Sequence, residues 1–478
     1  DKDAVPVAEF RQECRDFAAH WLGVQSEEFQ RLGVLGDWQN PYTTMAYAAE
    51  AKIAEELGRI LMDGSLYRGA KPVMWSPVEK TALAEAEIEY EDHTSTTIYA
   101  RFPVTHAAHA ALEGASVIIW TTTPWTMPAN RAVAYGDDIS YQVTEVLAAN
   151  DGALCSKGDV VVIADDLADS VITAIGASET KIRAHVMGRE MAGSVAAHPM
   201  AGHGYDFDVP LLAGSHVTTE QGTGFVHIAP GHGVEDYELA HLKHGIAVPD
   251  TVGEDGVILP HLPVFGGMHV LRDNAKIAEI MAEHKGVIGI GKLVHSYPHS
   301  WRSKAPLIYR NTAQWFVSME SHGLRDIALG ELAKTKFYPA AGQKRLTSMI
   351  AQRPDWCLSR QRAWGVPLTI FAHKQTGEPL RDPAVHARIV EAMKAEGADC
   401  WFMSEASRFL GDDYNPDDYE KITDILDVWF DSGSTHSFVL EDRDDLESPA
   451  DLYLEGSDQH RGWFHSSLLQ SCATRARA

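Results

Sequence analysis

The sequence predicts a mixed α/β chain in which a compact α+β unit, from about Thr97 to about Gly289, is inserted between two helical or α/β flanks. Three observations carry that prediction. Apolar residues near the start recur at steps of three and four, the 3.6-residue period of a helix. From about residue 95 the pattern changes to short β-branched and aromatic runs closed by Gly or Pro. The composition, 45% apolar and 23% charged over 478 residues, is that of a globular chain long enough for about three domains.

Each element follows in order. Val7, Phe10, Cys14, Phe17 and Trp21 form one apolar stripe, so an amphipathic helix opens the chain. Met45–Met62 is a second helix, stopped by Asp63-Gly64 because glycine accepts the left-handed conformation that ends a helix. Ser95–Val104, Ser116–Trp120, Asp159–Ile163 and Gly224–Ala229 read as strands, with a helix from about Leu167 to Ile175. Gly286–Gly291 reads as a Gly-rich turn at the join between domains, and Asp451–Leu454 as a short strand leading into Gly456 and a helix.

Composition excludes several classes. No run of about 18 apolar residues exists, so no membrane span is expected, and neither end reads as a signal peptide. The five cysteines are widely spaced without a CxxC pair, which argues for reduced, cytosolic thiols. The chain opens at Asp1 and stops at Ala478 inside helical-looking sequence, so both ends read as cut from something longer. With 41 Lys and Arg against 67 Asp and Glu the net charge is −26, which argues weakly against a nucleic-acid binder. The distribution is uneven, however: Lys344, Arg345, Arg353, Arg360 and Arg362 face only Asp355 in 341–365.

Gly286-Val-Ile-Gly-Ile-Gly-Lys292 nearly spells a phosphate loop, but Leu293 stands where a Mg²⁺-ligating Ser or Thr is needed. His227, His232, His241 and His244 lie close in sequence beside Glu235 and Asp236, yet their spacing matches no common zinc signature. No GxSxG elbow is present. Three segments remain ambiguous on their own. Thr121, Thr122 and Thr123 put hydroxyls at the end of a buried strand, either for a ligand or as an ordinary strand edge. Asp236 opens a helix after the turn that follows His227, where a carboxylate can hold an ammonium or cap the helix. Glu455-Gly-Ser-Asp-Gln-His-Arg-Gly-Trp-Phe464 sits at a strand–glycine–helix junction, where open α/β sheets bind ligands, or is a packed corner.

Taken together, the motifs point one way. Trp120-Thr-Thr-Thr-Pro-Trp-Thr-Met-Pro-Ala-Asn130, Gly222-Thr-Gly-Phe-Val-His-Ile-Ala-Pro-Gly-His-Gly-Val-Glu-Asp-Tyr237, Ser359-Arg-Gln-Arg-Ala-Trp-Gly365, Asp427-Val-Trp-Phe-Asp-Ser-Gly433 and the 455–464 block occur in this order. In this the chain resembles the isoleucyl-tRNA synthetases of class I over essentially its whole length. The leucyl and valyl enzymes carry Thr-Thr-Arg-Pro instead. The resemblance implies a discontinuous Rossmann-like catalytic core, incomplete here, interrupted by an inserted α+β editing domain. Residues 1–92 would be part of the first catalytic half and stem, 93–290 the editing domain, and 291–478 part of the second catalytic half.

It further implies a cytoplasmic monomer whose parent joins isoleucine to its tRNA with ATP and Mg²⁺. Valine lacks one methylene of isoleucine, a difference worth only about 1–3 kcal/mol in an apolar pocket, a range long known for this very pair of amino acids. Hydrolytic editing of valyl-tRNA is therefore needed. On the resemblance, Thr121, Thr122, Thr123 and Asn130 line the editing pocket, His227 selects the side chain and Asp236 holds the α-ammonium. Glu455, Gly456, Asp458 and Gln459 would surround the aminoacyl-adenylate, with Trp429 and Trp463 walling the isoleucine pocket, and the Lys344–Arg362 stretch would lie near the tRNA acceptor end.

Departures are informative too. The family's His-x-Gly-His and Lys-Met-Ser-Lys-Ser motifs are absent from these residues, as is the anticodon-binding domain; His106-Ala-Ala-His109 has the wrong context. The motifs are expected upstream of Asp1 and downstream of Ala478, and the fragment is expected to retain at most the editing hydrolysis. Two cysteine pairs that hold zinc in some relatives correspond to Ser76/Glu79 and Ser300/Ser303, so no zinc is expected. The alternative is a tRNA acceptor-end binding scaffold without turnover.

Overall fold

The computed structural model describes residues 5–478. They divide into two compact units, one of residues up to Ala70 with Ala84–Ala86 and Ala313–Ala478, the other of Lys71–Leu83 and Glu87–Thr312. The division falls inside the strands Leu66–Ser76 and Ile308–Val317.

The first unit is built around the helix Tyr47–Asp63, which buries Ile53, Leu57, Ile60 and Leu61 against a core that includes Leu368, Phe371, Trp401 and Phe409. Each such side chain contributes about 1.5–3 kcal/mol on burial. The helix ends where expected: Gly64 takes φ +88° in the left-handed region. Three short antiparallel pairs accompany it, Phe316–Val317 with Trp356–Cys357, Ser359–Arg360 with Ile425–Leu426, and Phe371–His373 with Tyr419–Lys421.

Two expectations for this unit fail. The helix Val7–Arg31 forms, but its stripe is not what anchors it: Phe17 and Trp21 are 66% and 45% exposed. The residue it buries is Arg11, whose Nη1 donates to the carbonyls of Ala363 (2.7 Å) and Gly365 (2.9 Å) and whose guanidinium lies 4.6 Å from the Phe402 ring. Arg15 adds an ion pair to buried Glu50 at 2.7 Å. Polar anchors, not the apolar period, fix this helix. The expected strand Asp451–Leu454 is also absent, since a strand needs a ladder partner and among the described residues no segment pairs with it; Leu452 and Leu454 are exposed.

The second unit is a ten-stranded mixed sheet. Its spine is the long strand Ile88–His106, which pairs antiparallel with Ser116–Thr121, Val195–Ala197 and Val287–Ser300. Ser116–Thr121 and Val160–Ala164 run parallel, as do Ala132–Tyr135 and Asp208–Ala213. Val160–Ala164 is buried at every position, as its unbroken β-branched run demands. The helix Ala168–Ala174 packs Ala168 and Val171 into a core with Ile118, Val161, Ile163 and Ile288.

Gly286–Gly291 is not the turn its glycines suggest. Val287 begins a 14-residue strand that remains in this unit, and none of the three glycines has a positive φ. They are small because neighbours come close: a Cβ on Gly289 would lie 3.1 Å from the Tyr99 ring, and one on Gly291 would lie 2.9 Å from Thr97 Oγ1.

Candidate functional site

The strand Ser116–Thr121 delivers Thr121 into the second unit with its side chain buried. A 3₁₀ segment, Pro124–Ala129, follows directly, with Pro at its first position where a missing N–H costs nothing. Its tightness stacks the hydroxyls. Thr121 Oγ1 accepts from the Thr123 amide (3.1 Å) and lies 3.1 Å from Thr123 Oγ1, which in turn is 3.4 Å from Thr126 Oγ1.

His227 enters from the strand Phe225–Ile228, whose antiparallel register sets it opposite Val133. Its Nε2 lies 2.8 Å from Thr126 Oγ1 and its Nδ1 lies 3.1 Å from Asn130 Nδ2. Thr121, Thr123, Thr126, His227 and Asn130 are therefore one hydrogen-bonded chain. Thr126 was absent from the expected site residues, although it lies three residues after Thr123, one 3₁₀ turn further on. Thr122 is half-buried next to the cluster in sequence and has no hydrogen bond within it.

Asp236 does not cap its helix. The cap position of Val234–Tyr237 is Gly233, and Asp236 Oδ2 instead reaches back to accept from the Ala229 amide at 2.8 Å. A Cβ on Gly233 would stand 3.0 Å from that carboxylate, so glycine is what lets the carboxylate fold back. Among the described residues nothing bonds its other oxygen, Oδ1. Burial raises the Asp236 pKa to about 7, opposed by the Ala229 N–H and assisted by Glu235. Burial pushes His227 the other way, down to about 3, with His198 and His232 adding to the effect, so its imidazole is neutral.

The histidines do not converge as a metal centre would require. His232 binds the Tyr309 carbonyl (2.8 Å) and Thr251 Oγ1 (2.7 Å), and packs edge-on against Trp125 at 4.9 Å, while His241 binds the Ile246 carbonyl. Among the described residues no three His, Cys, Asp or Glu side chains are grouped to hold a metal ion. Ser76, Glu79, Ser300 and Ser303 do come together: Ser300 Oγ donates to Glu79 Oε1 at 2.6 Å, the Ser303 amide donates to the same oxygen at 3.2 Å, and the Glu79 amide donates to Ser76 Oγ at 3.1 Å.

In the first unit, buried Asp427 accepts from the Trp429 amide (3.2 Å) and Trp356 Nε1 (2.9 Å) and pairs with Arg360 at 3.2 Å. This fixes the start of the helix Val428–Gly433 and hence Trp429. Trp429 lies over Gly462, where a Cβ would meet the indole at 2.8 Å. Trp463 donates from Nε1 to the Ser432 carbonyl (2.9 Å) and from its amide to Gln459 Oε1 (2.9 Å), and stacks on Tyr453 at 4.4 Å. Gln459 Nε2 donates to Asp458 Oδ2 at 3.0 Å, and Gly456 leaves room for Asp458 Oδ1, 2.5 Å from where a Cβ would be. Trp429, Gln459 and Trp463 are thus assembled, whereas Glu455, Gly456 and Asp458 lie on exposed chain. The basic stretch divides as well: Lys344 and Arg345 are exposed, but Arg360 turns inward to Asp427 and Arg353 packs 5.6 Å from the Trp356 ring.

The family described as tRNA synthetases class I (I, L, M and V) matches residues 1–478. An isoleucine–tRNA ligase of Pelagibacter ubique is 54% identical over 100% of this chain and 52% of its own length. One from Gluconobacter oxydans is 52% identical over 99% of this chain and 51% of its own. The chain thus spans about half the length of these relatives. Among solved structures, one titled "The crystal structure of GlLeuRS-CP1" overlays 41% of this chain and 98% of its own at TM-score 0.32 and 10% identity.

Proposed function

Because the chain belongs to the class I tRNA synthetases of the I, L, M and V group, we propose that it is the editing insertion and part of the catalytic core of an isoleucine–tRNA ligase. The parent activates isoleucine with ATP and Mg²⁺ and transfers it to its tRNA. In this reading the first unit belongs to a Rossmann-like core. Trp429 and Trp463 wall the isoleucine side, and Glu455, Gly456, Asp458 and Gln459 approach the adenylate. These 478 residues lack the family's two ATP-handling motifs and are proposed not to adenylate.

The second unit hydrolyses valyl-tRNA. The observation that carries this is the hydroxyl cluster of Thr121, Thr123 and Thr126 hydrogen-bonded to His227, with Asp236 folded back onto Ala229 at the end of the same His227 strand and its Oδ1 unbonded among the described residues. Asp236 holds the α-ammonium, Thr121–Thr123 hold the terminal ribose and ester, and His227, backed by the buried Asn130, limits the side-chain space. Water then attacks an ester fixed in position, and such fixing supplies a large share of the rate without a nucleophilic residue. His227 is a poor candidate for the base, since burial lowers its pKa to about 3, which makes it too weak a base, and both its nitrogens are engaged.

Single-turnover deacylation of valyl-tRNA at saturating protein tests the proposal. The chain should hydrolyse the ester well above the buffer rate, and Asp236→Ala should abolish the excess. Binding without turnover would favour the alternative, an acceptor-end scaffold. An Asp236→Ala variant as fast as the parent would remove Asp236 from its role.

A further inference from the structure

The atoms around His227 define its protonation more closely than its neutrality alone. Asn130 is fully buried, and its Nδ2 lies 2.9 Å from the Ala132 carbonyl as well as 3.1 Å from His227 Nδ1. The Ala132 oxygen can only accept, so the amide nitrogen must face it, and exchanging the Asn130 oxygen and nitrogen would set two acceptors against each other. With NH₂ thus placed, one hydrogen goes to Ala132 and the other to His227 Nδ1, which must then be the unprotonated nitrogen. On the opposite side Thr126 Oγ1 lies 2.9 Å from the Thr123 carbonyl, another pure acceptor. The Thr126 hydroxyl hydrogen is used there, leaving an oxygen lone pair for His227 Nε2 at 2.8 Å.

From these contacts we infer that Thr126 and Asn130 are positioning residues that lock His227 as its neutral Nε2–H tautomer, so that the ring meets a ligand at the threonine cluster through its carbon edge and face alone. This deepens the editing proposal and rests on it for its consequence. A ring with no free nitrogen acts as a wall of fixed orientation, selecting by shape, and the two residues behind it set where the wall stands. Neighbouring His198 is held in the same sense, its Nε2 on the Met127 carbonyl at 2.9 Å and its Nδ1 accepting from the Met200 amide at 3.1 Å. Asn130 decides the tautomer, because its amide hydrogen leaves Nδ1 unprotonated, and Thr126 supplies the acceptor that holds the Nε2–H in place.

The test uses the full chain labelled with ¹⁵N-histidine and a long-range ¹H–¹⁵N correlation spectrum, with His227→Gln identifying the signals by their loss. A protonated Nε2 beside an unprotonated Nδ1 is expected; a protonated Nδ1, or an imidazolium pattern, overturns the inference. Asn130→Asp, which replaces the donor to Nδ1 by an acceptor of the same shape, should move the proton to Nδ1. Thr126→Val, which leaves the Nε2–H without its acceptor, should keep the parent's tautomer but bring valyl-over-isoleucyl deacylation selectivity from the roughly 10–200-fold that one methylene can supply towards parity, and Thr126→Ser should restore it. An Asn130→Asp chain with the parent's tautomer pattern overturns the role of Asn130, and unchanged selectivity in Thr126→Val overturns that of Thr126. If neither ester is hydrolysed by any chain, the editing proposal fails, and the parent's tautomer pattern alone decides this inference.

Discussion

Asp236 makes a pH prediction that can be worked through. Its carboxyl, raised to about 7 by burial, is largely protonated in mild acid, and only the carboxylate can hold an ammonium. At pH 5.5 about 3% is ionised and at pH 7 about half, so the subsaturating deacylation rate should rise about sixteenfold across that window. Above about pH 8 it should fall again as the ester's own α-amino group loses its proton. Saturating protein should behave differently. An ammonium about 4 Å away at an effective dielectric near 20 favours the carboxylate by about 4 kcal/mol, roughly three pH units, so the bound complex stays ionised to about pH 4. The two conditions should therefore separate: a steep acid limb under subsaturating protein and a flat profile under saturation. Single-turnover deacylation of valyl-tRNA measures both, with the Asp236→Ala rate subtracted to remove hydroxide hydrolysis. Equal subsaturating rates at pH 5.5 and 7 would refute the reasoning.

Two further predictions concern the first unit. Glu56 is completely buried; burial pushes its pKa up, but His436, Arg475 and Arg59 override this and hold it well below the usual carboxylate range. Arg475→Met leaves it with Arg59 at 3.6 Å and His436 at 3.8 Å and should cost about 3 kcal/mol at pH 7. The depressed pKa means that the native contribution is present above the ordinary glutamate value and lost as pH falls through the lower folded value. In the variant burial dominates and the folded pKa rises, so the deficit should shrink between pH 7 and pH 5. Urea unfolding followed by hydrogen exchange of 463–475 measures this, and a change under about 0.5 kcal/mol at pH 7 would contradict it. Gly433→Ala should cost about 1–3 kcal/mol by the same measurement, because its Cβ would stand 2.5 Å from Gln470 Oε1 and 2.9 Å from the Ser466 carbonyl, and backbone cannot rotate away.

How far the sequence could be read depended on what kind of interaction decided each feature. Local chemistry was legible: Gly64 ends its helix, and the β-branched run at 160–164 is a buried strand. Features set by distant neighbours were not. The glycines of 286–291 resemble a turn in sequence because nothing there reveals that the Tyr99 ring and Thr97 hydroxyl will press against them. The stripe of Val7–Arg31 has helical period, yet the anchor is Arg11, whose partners Ala363, Gly365 and Asp399 are more than 350 residues away. At the candidate site the motifs carried Thr121, Thr123, Asn130, His227 and Asp236. Thr126 escaped because its role lies in a contact 101 residues distant, although its spacing from Thr123 was the available signal. The place of Asp236 in its helix left capping and ligand binding both open, and only the folded turn shows the carboxylate reaching back to Ala229.

The central claim is that the second unit discriminates by hydrolysis between two esters differing by one methylene. The most direct measurement presents valyl-tRNA and isoleucyl-tRNA, each charged on the same isoleucine tRNA, separately to the chain under single-turnover conditions. The valyl ester should be cleaved well above its buffer rate while the isoleucyl ester is spared. Equal cleavage of both, or none of either, would contradict the claim.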